Sequence, residues 1–174
     1  MLYAHARTPV IAAMTLIAAT LAGAWAQAAA PATIAVLDFD YVDTSGEERD
    51  QKDQHEARLR AFGAALRQDL GAGGAYRVVT LDCGPVPCSA GRMTPQALFE
   101  AAKKAGARFV LYGGVHKIST LVQLAQAQIV DVERNLLIDD RHLTFRGDDD
   151  EAWRRAEQYL ARQIAESARA EQVK

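Results

Sequence analysis

Three aspartates lie at positions where their carboxylates could bind a metal cation. Asp38 and Asp40 follow the first predicted strand, and Asp82 follows the second. Ligands of open α/β sheets gather outside the carboxyl ends of the parallel strands, and a hard cation such as Ca²⁺ takes about six to eight oxygen ligands. Asp38, Asp40 and Asp82 are therefore candidate metal ligands. The alternative is a solvated acidic rim, which is what charge runs usually form.

A second acidic run follows Gly147. Asp148, Asp149 and Asp150 precede an apolar stripe of helical period. Aspartate is a good N-cap residue, and negative charge is favourable at a helix N-terminus. The run is therefore predicted to end the sheet and to cap the last helix.

The two cysteines lie on one short segment. Cys83 and Cys88 enclose Gly84, Pro85 and Pro87, with no histidine between them. The spacing differs from the C-x-x-C of thioredoxin-like redox sites, and a zinc site would need more ligands. A structural disulfide, Cys83–Cys88, is the simplest interpretation for a chain in an oxidising compartment.

Other motifs lack a necessary part. His55-Glu56 begins like the zinc motif H-E-x-x-H, but Leu59 occupies the position of the second histidine. The glycines of residues 71–74 follow a predicted helix, whereas a phosphate loop follows a strand and opens a helix. We therefore predict no catalytic residues, no cofactor and no enzymatic activity.

In the first half of the chain, predicted strands alternate with predicted helices. Residues 33–39 form a β-branched apolar run typical of a buried strand, and residues 40–53 are polar and predict a long exposed loop. A helical stripe follows up to the glycines at 71–74, then a strand at 76–81. Thr94-Pro95 predicts the start of a second helix.

The second half carries consecutive strands. Residues 108–117, 120–132 and 136–145 predict three strands, and Asn135 suits the tight turn between the last two because Asn tolerates positive φ. The apolar stripe after residue 150 predicts a last helix. The order β-α-β-α-β-β-β-α predicts an α/β fold, with a mixed five-stranded sheet and three helices in a single domain over residues 33–170.

The N-terminal residues predict export. Arg7 precedes an apolar run over residues 10–24, and small residues follow in the pattern A-x-A. This layout is typical of a secretory signal peptide over residues 1–26, with cleavage after Ala26 or Ala28. We therefore expect a secreted, periplasmic protein of the Gram-negative type, with no stable membrane insertion after cleavage.

Charge argues against nucleic acid as a partner. Only one of the 20 Lys and Arg residues, and none of the 22 Asp and Glu residues, lies in the first 26 positions. The remaining chain therefore carries a net charge of −3 at neutral pH. A chain with this balance lacks the basic surface that nucleic acid attracts.

Several strings resemble the amino-terminal domain of TolB and its relatives. Residues 34–39 (IAVLDF) match the first strand of that group, and residues 77–79 (RVV) match a later one. Residues 107–115 (ARFVLYGGV) and 127–131 (AQIVD) resemble two further strands. Asp38 stands where the family usually has proline, and the cysteine loop is an addition.

The resemblance covers residues 33–164 and extends to the α/β part of the curli secretion protein CsgG. It implies a TolB amino-terminal-domain-like α/β fold and a binding or assembly module without catalytic residues. We therefore expect a non-enzymatic module that engages a protein partner or forms a homo-oligomer. The alternative is a periplasmic protein that binds a small ligand or a metal cation through the acidic residues at the strand ends. A hairpin strand at the sheet edge is one place where a partner's strand could pair.

Overall fold

The computed structural model describes residues 30–172, so the predicted signal peptide lies outside the described residues. Three helices and six strands follow one another along the chain. In chain order they are β1 (Ala32–Val36), β2 (Asp40–Asp43), α1 (Lys52–Ala72), β3 (Tyr76–Val79), α2 (Pro95–Lys104), β4 (Phe109–Lys117), β5 (Val122–Asp131), β6 (Leu136–Arg146) and α3 (Asp150–Gln172).

The strands form one mixed sheet. Its order is β3-β1-β4-β5-β6, with β1 parallel to β3 and β4, and with antiparallel pairing of β4 to β5 and of β5 to β6. The predicted α/β fold with three helices and a mixed sheet is confirmed. None of the helices within residues 30–172 is both long enough and apolar enough to cross a membrane.

The short strand β2 was not predicted. Asp40–Asp43 lies inside the segment that the sequence predicts as a loop, and it pairs in parallel with the second half of β4. The sheet therefore has six strands rather than five. The sequence does not predict β2 because it begins and ends with aspartate, a residue that is depleted in strands.

The two faces of the sheet are covered unequally. Helices α1 and α3 pack on one face, where Phe62, Leu66, Trp153 and Ile164 form the main core with alternate residues of the strands. Helix α2 packs on the other face through Leu98 and Ala102, against Ala35 and Val110. Because α2 is only ten residues long, the second face is covered at the β1 side and not over β5 and β6.

Local signals place the helix and hairpin boundaries. The Thr94 hydroxyl accepts a hydrogen bond from the Ala97 N–H (3.3 Å), which confirms the predicted N-cap of α2. Asn135 has φ of 51° in the β5–β6 turn, as expected. Within the predicted capping run of residues 148–150, Asp149 caps α3 by accepting from the Ala152 N–H at 2.7 Å.

Candidate functional site

A cleft opens beyond the carboxyl end of β1. It has a volume of about 790 Å³ and is lined by the β1–β2 connection, the start of α1 and the loop after the disulfide. Five acidic and four basic side chains line it, so the cleft has no single sign of charge. The charged residues lining it are Asp38, Asp40, Asp43, Arg49, Asp50, Lys52, Glu56, Arg60 and Arg92.

Asp38 lies at this cleft and is tied to α1. The Arg67 guanidinium donates from Nη2 to Asp38 Oδ1 at 2.7 Å, and from Nε to the Val36 carbonyl oxygen at 3.0 Å. The Asp38 side chain stays half exposed. Its carboxylate therefore anchors α1 to the end of β1 and keeps one open side.

Asp40 lies at the same cleft and holds the loop that follows the disulfide. Its two oxygens accept hydrogen bonds from the Ser89 hydroxyl (2.8 Å) and from the Gly91 N–H (2.7 Å). A Cβ at Gly91 would lie 2.8 Å from Asp40 Oδ1, so this close approach requires glycine. Asp40 therefore fixes the loop against the sheet.

The third predicted metal ligand lies elsewhere. Asp82 does not line the cleft; its carboxylate is largely exposed, accepts from the Gly84 N–H at 3.1 Å and lies 4.0 Å from Lys104 Nζ. The structure thus brings Asp38 and Asp40 to one cleft and leaves Asp82 outside it. Within residues 30–172, no three His, Cys, Asp or Glu side chains are grouped as metal ligands.

The cysteine loop is closed in the structure. Cys83 and Cys88 form a disulfide, and the Cys88 carbonyl oxygen accepts from the Asp38 N–H at 2.8 Å. The bridge therefore lies beside the cleft, which its neighbours Pro87 and Ser89 line.

A buried ion cluster lies between the sheet and the N-termini of α1 and α3. At its centre, Lys117 at the end of β4 is fully buried. Its ammonium donates to Asp148 Oδ2 (2.7 Å), to Gln51 Oε1 (2.9 Å) and to the carboxylate of Glu47. The Lys117 ammonium has three donors, and each has an oxygen acceptor here.

The Asp148 carboxylate also binds the other three polar side chains of the cluster, His55, Arg58 and Gln123. The His55 ring nitrogen Nε2 lies 2.8 Å from Asp148 Oδ2, and Arg58 Nη1 and Gln123 Nε2 each donate to Oδ1 at 3.0 Å. Burial alone would raise the pKa of Asp148, but the hydrogen bonds from Lys117, His55 and Gln123 lower it to about 2. Asp148 is therefore ionised throughout the physiological range.

Lys117 remains a cation in this environment. Burial alone would lower its pKa, but hydrogen bonds and the charges of Asp148 and Glu47 outweigh burial and raise it. A protonated lysine has no lone pair for nucleophilic attack. The cluster therefore holds charges in place, and neither Lys117 nor Asp148 is placed to act as a nucleophile or a general base.

Aromatic rings cover the cluster on the core side. The Tyr41 and His55 ring centroids are 4.7 Å apart, and the Trp153 centroid lies 6.5 Å from that of His55. Burial, together with the charges of Asp43 and Asp148, raises the pKa of Tyr41. The Tyr41 hydroxyl is thus a neutral group at the boundary between the cleft and the cluster.

Sequence reasoning missed this cluster. It treated Asp148 as part of a helix cap and His55 as half of a zinc motif, and it gave Lys117 no role. One sequence feature could have indicated it: side chains alternate between the two faces of β4, so Phe109, Leu111, Val115 and Lys117 share one face. A lysine at the end of a buried row needs acidic partners, but Glu47 lies 70 residues earlier and Asp148 lies 31 later, and these separations follow no local pattern.

Comparison with known proteins identifies the family. The model of the family DUF3280, described as "Protein of unknown function (DUF2380)", matches residues 32–164. The chain belongs to this family. The matched residues span every element of this chain from β1 into α3. No curated protein sequence matches this chain.

Several solved structures are similar to this chain at low sequence identity. The hypothetical protein CT253 from Chlamydia trachomatis has a TM-score of 0.52 and 11% identity, and the alignment covers 80% of this chain and 99% of CT253. LpoB from Escherichia coli scores 0.49 with 15% identity, over 66% of this chain and 56% of its own. TolB from Acinetobacter baumannii scores 0.45 with 14% identity, and the alignment covers 78% of this chain and 28% of TolB.

Proposed function

We propose that this protein is a non-enzymatic assembly module of the periplasm that pairs with a second copy of itself through β6. The periplasmic location depends on the predicted signal peptide. The observation that carries the proposal is the position of β6, an eleven-residue strand at the edge of the sheet.

The outer side of β6 is an open hydrogen-bonding edge. β5 pairs with the inner side along the whole strand, and no other strand within residues 30–172 pairs with the outer side. An edge strand presents unpaired N–H and C=O groups that can extend the sheet into another chain. Two exposed leucines, Leu136 and Leu137, lie at the start of the strand and add apolar surface.

The side chains of β6 are self-complementary. Asp140 and His142 lie on the sheet face that carries α2, in the part over β5 and β6 that α2 leaves uncovered, and their side chains lie 3.2 Å apart. An antiparallel pair of β6 strands with its twofold axis at Arg141 would place Asp140 opposite His142 of the second copy. Arg141 would lie opposite its own copy, with the charge of each guanidinium offset by Asp139 of the same chain. Opposite charges across neighbouring strands are favourable, and like charges are unfavourable.

The same charges limit which partners can pair. Natural proteins place charged residues on edge strands to prevent indiscriminate pairing. Asp139 and Arg141 are fixed on the covered face, where Arg141 Nε donates to Asp139 Oδ1 at 2.7 Å. The remaining edge carries both signs of charge, so it favours a partner with the reversed order of charges, as a second antiparallel copy has.

Sedimentation equilibrium of the exported protein tests this proposal by charge reversal. Wild type is expected to dimerise. Asp140→Lys should remove the attraction to His142 of the second copy, and His142→Glu should place like charges opposite one another; each should weaken the dimer at least tenfold, whereas the double variant should restore it. Glu48→Lys, at an exposed position in the loop before α1, is the matched control.

The results that contradict the proposal are equally specific. A wild-type protein that stays monomeric across the concentration range contradicts self-pairing. So does a dimer that neither single variant weakens. A monomer that captures a different periplasmic protein through β6 would show that the edge serves another partner.

A further inference from the structure

A groove runs between α1 and α3 on the side away from the sheet. The two helices lie side by side in the same direction, since Arg58 Nε donates to Asp150 Oδ1 (2.8 Å) near their starts and Arg169 Nη2 donates to the Gly73 carbonyl oxygen (3.3 Å) at their ends. The groove has a volume of about 800 Å³. Its α1 wall consists of small residues at every fourth position, Ala57, Ala61 and Ala65.

The floor of the groove combines apolar rings with a carboxyl group. Phe62, Trp153 and Glu157 line it and are 3%, 2% and 1% exposed. The rings of Phe62 and Trp153 meet edge to face, with centroids 6.2 Å apart. A glutamate this deeply buried is rare unless it is paired.

Two polar atoms of the floor have no partner. Glu157 Oε1 and Trp153 Nε1 are both buried and make no hydrogen bond. Buried polar groups in native proteins are almost always hydrogen-bonded. One unsatisfied acceptor and one unsatisfied donor in the same groove therefore indicate a ligand that supplies a donor to Glu157 and an acceptor to Trp153.

The cations at the groove are already engaged. Arg58 donates to Asp148 and Asp150, and Arg154 donates to both oxygens of Glu151 at 2.7 Å. Burial and the charge of Asp69 on α1 raise the pKa of Glu157 to about 7, although Arg162 on α3 opposes this. Glu157 is thus left without a cation that touches its carboxylate, and a positively charged ligand would supply one.

We propose that this groove binds a small organic amine with an apolar body. The ammonium group would donate to Glu157, a hydroxyl or carbonyl oxygen of the ligand would accept from Trp153 Nε1, and the apolar part would pack on Phe62 and the alanine wall. This inference is independent of the pairing through β6, because the groove lies on the helical side of the fold.

Fluorescence of Trp153 tests the site. The chain has two tryptophans; Trp25 lies in the predicted signal peptide, so Trp153 is the single reporter in the exported protein, and Trp25→Phe makes it so in the uncleaved chain. The probe is phenylalaninol, which carries an ammonium, a hydroxyl and a phenyl group. The matched probe, 3-phenylpropane-1,2-diol, replaces only the amine with a second hydroxyl.

We expect a saturable change in Trp153 fluorescence with phenylalaninol at roughly millimolar concentration or below, the range open to so small a ligand. The diol should bind at least tenfold more weakly. Glu157→Gln should weaken phenylalaninol binding at least tenfold, and Glu166→Gln, exposed on α3 outside the groove, should leave it unchanged. Ala61→Trp should fill the groove while leaving Glu157 intact, so phenylalaninol should no longer bind. Because the new tryptophan also fluoresces, binding of the amine and the diol to this variant is measured by calorimetry.

Three results would overturn the proposal. These are the absence of saturable binding, equal binding of the amine and the diol, and equal binding by the folded Glu157→Gln and wild-type proteins. If Glu157→Gln does not fold, binding that persists in Ala61→Trp overturns it instead.

Discussion

The Lys117 ammonium lies 2.7 Å from Asp148 Oδ2, and both groups are shielded from water. Lys117 ends β4 and Asp148 precedes α3, so this ion pair connects the centre of the sheet to the last helix. Glu47 and Gln51 approach Lys117 from the loop before α1, and His55 and Arg58 approach Asp148 from α1 itself. The cluster therefore joins three parts of the chain that are distant in sequence: residues 47–58, the end of β4 and the residue that precedes α3.

Removing the Lys117 charge should destabilise the fold strongly. Lys117→Met leaves Glu47 and Asp148 buried without their main cation, and breaking a buried pair in this way costs about 3–5 kcal/mol. Urea denaturation followed by circular dichroism measures the change. Lys52→Met is the control, since its side chain is 77% exposed and pairs only with Glu56 at 3.9 Å; it should change stability by less than about 0.5 kcal/mol. Equal stability of both variants would contradict a structural role for the cluster.

Stability should fall in acid because of Asp148. Its pKa is lowered from 3.8 to about 2 in the folded state, so the folded protein holds fewer protons than the unfolded chain. The stabilisation is present above about pH 4 and is lost as the pH falls toward 2. Asp148→Asn should lack roughly 2 kcal/mol of this pH-dependent stability. Urea midpoints measured between pH 2 and 5 test it, and parallel curves for the two proteins would contradict it.

Glu157 should give a dependence of opposite sign at higher pH. Its pKa is raised from 4.5 to about 7, so the folded protein holds the proton more tightly than the unfolded chain. The stabilisation is present below about pH 4.5 and is lost as the pH rises through 7. Glu157→Gln should remove this loss, worth roughly 3 kcal/mol. Thermal melts of both proteins at pH 5 and pH 8 test it, and an unchanged difference between the two pH values would refute it.

Gly113 should tolerate no side chain. A Cβ there would lie 2.1 Å from the Gln126 carbonyl oxygen on β5 and 2.9 Å from Phe39 Cε1. Gly113→Ala should therefore destabilise by about 2 kcal/mol or more, as overpacking against backbone does. Gly63→Ala is the matched variant within α1, where the nearest atom is the flexible end of Arg67 at 3.4 Å; it should stabilise by up to about 1 kcal/mol. Chemical denaturation of both variants checks the contrast in sign.

The parts of the fold that sequence predicts are those with local causes. The apolar run of β1, the Thr94 cap and the left-handed Asn135 each depend on neighbouring residues, and the structure has all three. β2 depends instead on pairing with β4, which no local pattern shows. The partners of Lys117 and the unsatisfied Glu157 depend on the packing of distant elements, so composition and periodicity could not find them.

The three aspartates illustrate the same limit. The rule for parallel sheets predicts all three at one edge of the sheet, and Asp38 and Asp40 line one cleft. It could not show that Arg67 occupies the first, or that Ser89 and Gly91 occupy the second. Asp82 lies 4.0 Å from Lys104 and does not line that cleft.

Pairing through β6 is tested most directly by a single cysteine at the proposed twofold axis. In Arg141→Cys the two copies of residue 141 would lie opposite each other, with Cα atoms about 4.5–5.5 Å apart, within reach of a disulfide. In Thr144→Cys the two cysteines would be about six residues apart along the strands, roughly 20 Å. We predict that mild oxidation converts Arg141→Cys, and not Thr144→Cys, to a covalent dimer on a non-reducing gel. Equal cross-linking of the two variants, or none in Arg141→Cys, would contradict assembly through this edge.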